Sequence, residues 1–338
     1  MNLTNQQFRL ATRPVGLPDR DTWQLTEGSV PDPADGQIAV QVLYTSLDPA
    51  MRTWLNEGES YVPPVGVGEV MRALGIGRVI ASRAPQFKEG DLVTGLVGIQ
   101  RYAVVPATGM VPLTDDVAPL TIHLNALGIP GMTAYFGLLD VGRPQAGETV
   151  VVSAAAGAVG SLAGQIAKLK GCRAVGIAGG PEKCRLVTEE YGFDAAIDYK
   201  AGQVAQSLRQ HCPDGIDVYF DNVGGEILEA ALRNLARRAR IVICGAVSQY
   251  NDAAMTGPRN YMNLLVKRAR MEGFVVFDYA KQYAEATREL GSWISAGKLK
   301  SREHVVDGFE TFPEALLMLY SGENTAKLVL KIADTEAY

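Results

Sequence analysis

From about residue 123 to residue 277, apolar runs of strand length alternate with amphipathic stretches of helix length, and no other feature constrains the fold as tightly. The first run, TVVVSAA, is apolar without interruption, as a strand covered on both faces must be. It is followed by AVGSLAGQIAKLKG, in which Val159, Leu162, Ala163, Ile166, Ala167 and Leu169 line one helical face. The alternation then repeats. RAVGIAG reads as a strand, EKCRLVTEEYG as a helix closed by Gly192, and DAAIDY as a short strand. QVAQSLRQHC reads as a helix, GIDVYFDNV as a strand, residues 226–235 as a helix and RIVICGAV as a strand. A helix over residues 261–268 leads into MEGFVVF as a last strand. About six strands alternating with helices imply an α/β fold with a doubly wound parallel sheet.

The first 120 or so residues have another texture. QIAVQVLYTSL, GIGRVIAS, DLVTGLVGI and RYAVVP are short β-like runs, punctuated by PDPADG, VPPVGVGE and PQFKEGD. That is the pattern of an all-β barrel. After a long helix over residues 279–296, HVVDGF, a helix at 313–320 and KLVLKI read as a return to this barrel. The expected division is a barrel domain over 1–122, a nucleotide-binding domain over 123–304 and a C-terminal return over 305–338.

The join between TVVVS and its helix carries the sharpest local signal. VVVSAAAGAVGS sets Ala155, Gly157 and Gly160 in the register of G-x-G-x-x-G, with Ala in the first position. Gly157 lets the backbone approach a pyrophosphate, and Gly160 lets the helix pack closely on the sheet. The helix N-terminus then offers N–H groups and a positive dipole to the phosphates. A tight strand–helix turn is the alternative, but the place of the motif on the first of six strands favours a dinucleotide. NAD sites carry an acid at the end of the second strand. Here that strand ends in Ala178, Gly179 and Gly180, with Lys183 just beyond. A cation near a helix N-terminus sits against the dipole, so a 2′-phosphate partner explains it better than solvent does. NADPH is the expected cofactor.

Other chemistries find little support. The net charge of −5, from 32 Lys+Arg and 37 Asp+Glu, leaves no basic footprint for nucleic acid or anionic lipid. No run of about 18 apolar residues occurs, and MNLTNQQFRLATR lacks a signal-peptide pattern, so a cytoplasmic protein is expected. Cys172, Cys184, Cys212 and Cys244 are isolated, as are His123, His211 and His304, which argues against a metal site. G-x-S-x-G, the P-loop and H-E-x-x-H are all missing. Arg237, Arg238 and Arg240 read as a solvated helix end, where cations suit the dipole.

Taken together, SLDPAMR, YVPPVGVGEVMR, GMTAYFGLLDVG, SAAAGAVGSLAGQIAKLKGC, YFDNVGGE, ICGAVSQYN, MEGFVVFDY and GENTAK resemble one family across nearly the whole chain. That family is the medium-chain dehydrogenase/reductases, with a GroES-like barrel and a Rossmann domain. Within it, the chain resembles the zinc-independent group of prostaglandin/leukotriene, alkenal and curcumin reductases. Zinc-dependent cousins carry a catalytic Cys in the first domain, and this chain has none before Cys172. The resemblance implies that Gly157, Ala158, Val159 and Gly160 form the pyrophosphate turn and that Lys183 meets the 2′-phosphate. It places Tyr199 at the adenosine end and Asn222 at the edge of the fourth strand. Cys244, Gly245, Ala246, Val247, Ser248 and Tyr250 would run along the nicotinamide ribose. Phe274, Val275 and Val276 would offer backbone groups to the carboxamide, Asn324 would return from the C-terminal segment, and Met132 would pack near the ring. It also implies a homodimer. Two positions depart from the group: Ala50 stands where it usually has Tyr in DPYMR, and Ala326 where it usually has Gly.

The reaction so implied is hydride delivery to the β-carbon of an α,β-unsaturated aldehyde or ketone, with a donor at the carbonyl oxygen where charge develops. Tyr250 is the candidate donor; packing of its loop is the alternative role. Tyr44, Tyr61 and Tyr261 stand in stretches that could border the substrate, and simple packing accounts for each. Quinone reduction at the same cofactor, or an NADPH-binding protein without catalysis, remain open on sequence alone.

Overall fold

The computed structural model describes residues 1–114 and 119–335. Its strands are β1 (Thr4–Leu10), β2 (Trp23–Ser29), β3 (Gln37–Ser46), β4 (Leu74–Ser82), β5 (Leu92–Leu96), β6 (Tyr102–Pro106) and β7 (Val111–Leu113). Then come β8 (Thr149–Ser153), β9 (Arg173–Ala178), β10 (Ala195–Asp198), β11 (Ile216–Asp221), β12 (Leu235–Ile243), β13 (Arg270–Gly273), β14 (Glu303–Asp307) and β15 (Lys327–Lys331). The chain forms two compact units, Met1–Leu124 with Glu303–Tyr338, and Asn125–Arg302.

In the first unit, β14, β15, β3, β4, β5 and β7 follow one another in a sheet, with β6 also paired to β3. β3 is long enough to pair with β4 over Ile38–Thr45 while β6 pairs with its Gln37–Gln41 and β15 with its Tyr44–Ser46. Its Ile38, Val40 and Val42 point into a core that also holds Met51, Leu55, Met71, Val93 and Ile99. The N-terminal hairpin β1–β2 is a separate two-stranded sheet. It is tied down by aromatic contacts: Phe8 lies 5.0 Å from Phe309 and 5.2 Å from Phe312, and Trp23 meets Phe312 edge-on at 4.9 Å. The C-terminal segment thus contributes Phe309 and Phe312 to this core.

The second unit is a six-stranded parallel sheet in the order β10-β9-β8-β11-β12-β13. Val150, Val151 and Val152 of β8 are fully buried, as the unbroken apolar run required. Helix Ala158–Leu169 buries Leu162, Ala163, Ile166 and Ala167. The strand order reverses between β8 and β11, so a crevice opens beyond their carboxyl ends.

Three segments of the chain differ from the pattern of their sequence. Arg237, Arg238 and Arg240 do not end a helix; they lie in β12, and the helix before it, Gly225–Leu232, stops earlier. Arg240 turns inward, donating to the Gly142 carbonyl at 2.9 Å and pairing with Glu148, so it is not a solvated cation. MEGFVVF is strand only to Gly273. Beyond it the Phe274 ring turns inward into space left by Gly137, where an added Cβ would lie 2.4 Å from the ring. Finally, the long helix begins at Tyr283, after a tighter turn over Val276–Gln282.

Candidate functional site

Every strand of the parallel sheet hands over, at its carboxyl end, to residues that the sequence singled out. After β8 the chain turns through Ala154, which takes a left-handed φ of 50°. Gly157 then caps helix Ala158–Leu169 without any side-chain cap, and the first helical turn holds no acid. The dipole and N–H groups of that helix end are therefore left uncovered by side chains. A Cβ on Gly160 would lie 2.3 Å from the Ala154 carbonyl oxygen and 2.8 Å from its carbon. Backbone meets backbone there, and only glycine fits.

At the ends of β9 and β10, Asp198 organises the turn. Its Oδ1 accepts from the N–H of Gly180 at 2.7 Å and of Lys200 at 2.9 Å. The ring of Tyr199 lies against Gly179, where a Cβ would come within 2.8 Å of the ring. Lys183 stands half-buried in the short helix Pro181–Arg185. Burial, and then the charge of Lys200, hold its ammonium below the usual lysine range. Two cations thus share this corner. Lys200 was not singled out by sequence reasoning, although its position directly after Tyr199 was a usable signal.

At the ends of β11 and β12 a hydrogen-bond network fixes two loops. Asn222 donates its N–H to Ser153 Oγ at 2.8 Å and its side-chain amide to the Ser153 carbonyl at 2.7 Å. The N–H groups of Cys244 and Gly245 reach the Asp221 carbonyl at 2.9 and 3.1 Å. Val247 N–H donates to the Asn222 carbonyl at 3.2 Å, and Ser248 Oγ to the Val223 carbonyl at 2.6 Å. Tyr250 folds back over this loop, and its hydroxyl accepts from the Ala246 N–H at 3.2 Å. Burial pushes the Cys244 thiol up to about 12, with Asp221 adding to the effect, so it is no nucleophile at neutral pH. After β13, the carbonyl of Val276 accepts from the Tyr283 hydroxyl at 2.9 Å, and that of Val275 from the Asp278 N–H at 3.1 Å. Met132 is buried on helix Ile129–Phe136. Tyr261 is exposed.

The remaining singled-out residues lie in the first unit. Ala50 sits in the turn Pro49–Leu55, and its carbonyl accepts from the Thr53 hydroxyl at 2.8 Å. That turn is anchored by two buried cations that sequence reasoning missed. Lys327, 1% exposed, donates to the Leu47 carbonyl at 2.8 Å and to Asp48 at 2.6 Å. Arg52 donates to the carbonyls of Gly16 and Pro14 at 2.8 and 3.2 Å. Asn324 donates to the Ala326 carbonyl at 3.1 Å. Ala326 has a φ of 64°, a conformation that explains why glycine suits this position. Tyr44 packs against Ile76, Leu124 and Val329, and Tyr61 is exposed. Among the described residues, no group of three or more His, Cys, Asp or Glu is placed to hold a metal ion.

A doubly wound sheet with an uncapped helix end at its switch point, accompanied by a separate β-barrel unit, defines the class of two-domain dinucleotide-dependent oxidoreductases. Comparison with known proteins narrows the class. The family described as an N-terminal domain of oxidoreductase matches residues 6–113, and the zinc-binding dehydrogenase family matches residues 158–292. The NADPH-dependent curcumin reductase of Escherichia coli (strain K12) is 42% identical over 335 residues, covering 97% of each chain. The NADP(+)-dependent 2-alkenal reductase of Nicotiana tabacum is 40% identical, covering 98% of each. The solved structure of CurA in complex with NADPH from Vibrio vulnificus superposes with a TM-score of 0.93 at 42% identity, covering 97% of this chain and 99% of that one. The chain belongs to the medium-chain dehydrogenase/reductase family, in its zinc-independent group of prostaglandin, alkenal and curcumin reductases, with the GroES-like barrel and Rossmann sheet of that family.

Proposed function

We propose that this chain is an NADPH-dependent reductase that saturates the carbon–carbon double bond of α,β-unsaturated aldehydes and ketones. The observation that carries the NADPH part of this reading is the corner at the ends of β9 and β10, where the charges of Lys183 and Lys200 act on each other and the acid present, Asp198, is engaged by the N–H groups of Gly180 and Lys200. A 2′-phosphate placed between them relieves their repulsion and favours both charged forms. The uncapped end of helix Ala158–Leu169 supplies the matching pyrophosphate site, through Gly157, Ala158, Val159 and Gly160. Tyr199 is assigned to the adenosine, Asn222 and the loop from Cys244 to Tyr250 to the nicotinamide ribose, and the backbone of Phe274, Val275 and Val276 to the carboxamide. Met132 completes the assignment. The curcumin and 2-alkenal reductases among its relatives support the substrate class.

When bound, the cofactor supplies the hydride for the electrophilic β-carbon. The chain's own part is to hold geometry and to meet the negative charge that grows on the substrate's carbonyl oxygen. Tyr250 is the donor assigned to that oxygen. Because its hydroxyl already accepts from the Ala246 N–H, its own O–H is polarised toward donation. Tyr250→Phe is therefore expected to lower kcat by about 10–100-fold for enals and enones alike. Steady-state kinetics with a small alkenal and a bulky enone checks this. Full kcat in the variant would remove Tyr250 from the reacting centre.

A homodimer built on the outer edge of the parallel sheet belongs to the same reading. β13 is the edge strand, and in the helix Met262–Lys267 just before it only Leu264 packs against the core, partly buried. Tyr261, Met262, Leu265 and Val266 are 59%, 53%, 68% and 59% exposed, an apolar patch next to an open strand edge. Leu265→Asp should shift the protein from dimer to monomer in sedimentation velocity. A wild-type monomer, or a variant that stays dimeric, would contradict this placement. Among the described residues, no helix is long and apolar enough to cross a membrane. The four free cysteines suit the reducing cytoplasm to which we assign the protein.

A further inference from the structure

Asp221 is 1% exposed, yet it carries an acid into the end of the parallel sheet. Its Oδ1 accepts from Ser153 Oγ, the Tyr219 hydroxyl, and the N–H groups of Val223 and Gly224, each at 3.0 Å. Its Oδ2 is buried with no hydrogen-bond partner. Donors gathered on one oxygen stabilise the anion, and a proton on Oδ2 would find no acceptor. Burial acts the other way and raises the carboxyl above its usual range. Ordinary structural duty asks only for an acceptor here, since the turn at Asn222–Gly224 could be closed by a neutral side chain. A buried charge is costly to keep, and its retention at the switch point of the sheet calls for a use.

We propose that Asp221 is a buried anion that biases the site toward the oxidised cofactor, NADP+, whose nicotinamide carries a positive charge that the reduced ring lacks. This rests on the cofactor reading above, since Asn222 and Cys244, the residues assigned to the nicotinamide ribose, are those that Asp221 adjoins and holds by its backbone. The buried Oδ2 leaves the charge poorly screened by solvent. With the cofactor bound, the same Asp221 charge would favour any step in which the ring gains positive charge. Asp221 is in this sense a positioning and electrostatic residue, without contact to the reacting atoms.

The test is the ratio of dissociation constants for NADP+ and NADPH, measured by calorimetric titration of the wild type and variants. Asp221→Asn keeps the shape and the acceptor while removing the charge; Asp221→Ser is a second neutral variant, whose hydroxyl can still accept from the N–H groups two and three residues on. Each is expected to weaken NADP+ binding relative to NADPH on the order of tenfold, the scale of one charge acting through protein over several ångströms. Asp217→Asn removes a carboxylate charge near the amino end of the same strand, β11, and should leave the ratio unchanged. Circular dichroism and unfolding midpoints establish that each variant is folded. An unchanged ratio in the folded neutral Asp221 variants overturns the proposal, as does an equal shift in Asp217→Asn. A wild type that binds neither form overturns the cofactor reading and this inference with it.

Discussion

Replacing Gly160 by alanine is expected to lower the unfolding midpoint and to weaken NADPH binding together. The added Cβ would lie 2.3 Å from the Ala154 carbonyl oxygen and 3.1 Å from the Ala155 Cα. Neither neighbour is a side chain that can rotate away, and the Ala155 N–H is itself bound to the Ile177 carbonyl of β9 at 3.0 Å. The helix must therefore move off the sheet. Forced overpacking of this kind costs about 1–3 kcal/mol, sometimes more, out of a total stability of about 5–15 kcal/mol. The same displacement carries the helix N-terminus away from the phosphates, so the affinity for NADPH should fall by at least about tenfold. Gly28→Ala is the control, because nothing lies within 4 Å of its Cβ position. Thermal unfolding and cofactor titration of both variants read the result. A Gly160→Ala protein with wild-type stability and affinity would show that this turn neither packs nor binds as described.

Lys183→Ala should discriminate between the two nicotinamide cofactors. Only NADPH carries the 2′-phosphate, so only NADPH loses a charge-assisted partner, worth roughly 1.5–3 kcal/mol. Its dissociation constant should rise about 10–150-fold, while that of NADH stays nearly fixed. Lys200→Ala should produce a smaller loss of the same kind, because that side chain is exposed and its charge better screened. The double variant should lose less than the sum. In the free protein the two cations repel, and removing either relieves the other. Equal losses for NADPH and NADH after Lys183→Ala would refute the assignment.

The parallel sheet was legible because burial on both faces leaves an unmistakable trace, as in TVVVS of β8. The hairpin β1–β2 left almost none. TNQQFRL and WQLTEGS are polar edge strands held by Phe8, Leu10 and Trp23, too few apolar positions to fix a period. Arg237 and Arg238 misled for a related reason: β12 starts with solvent-facing arginines, and Arg238 bends the chain with a φ of 65°. Within the candidate site, turns at strand ends could be read from local text, since glycine and lysine act where they stand. Networks could not. Ser153 and Asp221 are 68 residues apart, and Asp48 and Lys327 are 279 apart. Nothing local announces that such polar residues will be buried together.

The central claim is that the chain delivers a hydride from NADPH to the β-carbon of an enone or enal. Its most direct measurement uses NADPH deuterated at the transferring position of the nicotinamide, with an alkenal and an enone as substrates and the products analysed by NMR. The expected product is a saturated aldehyde or ketone with one deuterium on the β-carbon, formed about 10–100-fold more slowly when Tyr250 is replaced by Phe. Deuterium on the carbonyl carbon, giving an allylic alcohol, or no NADPH consumed with either substrate, would contradict it.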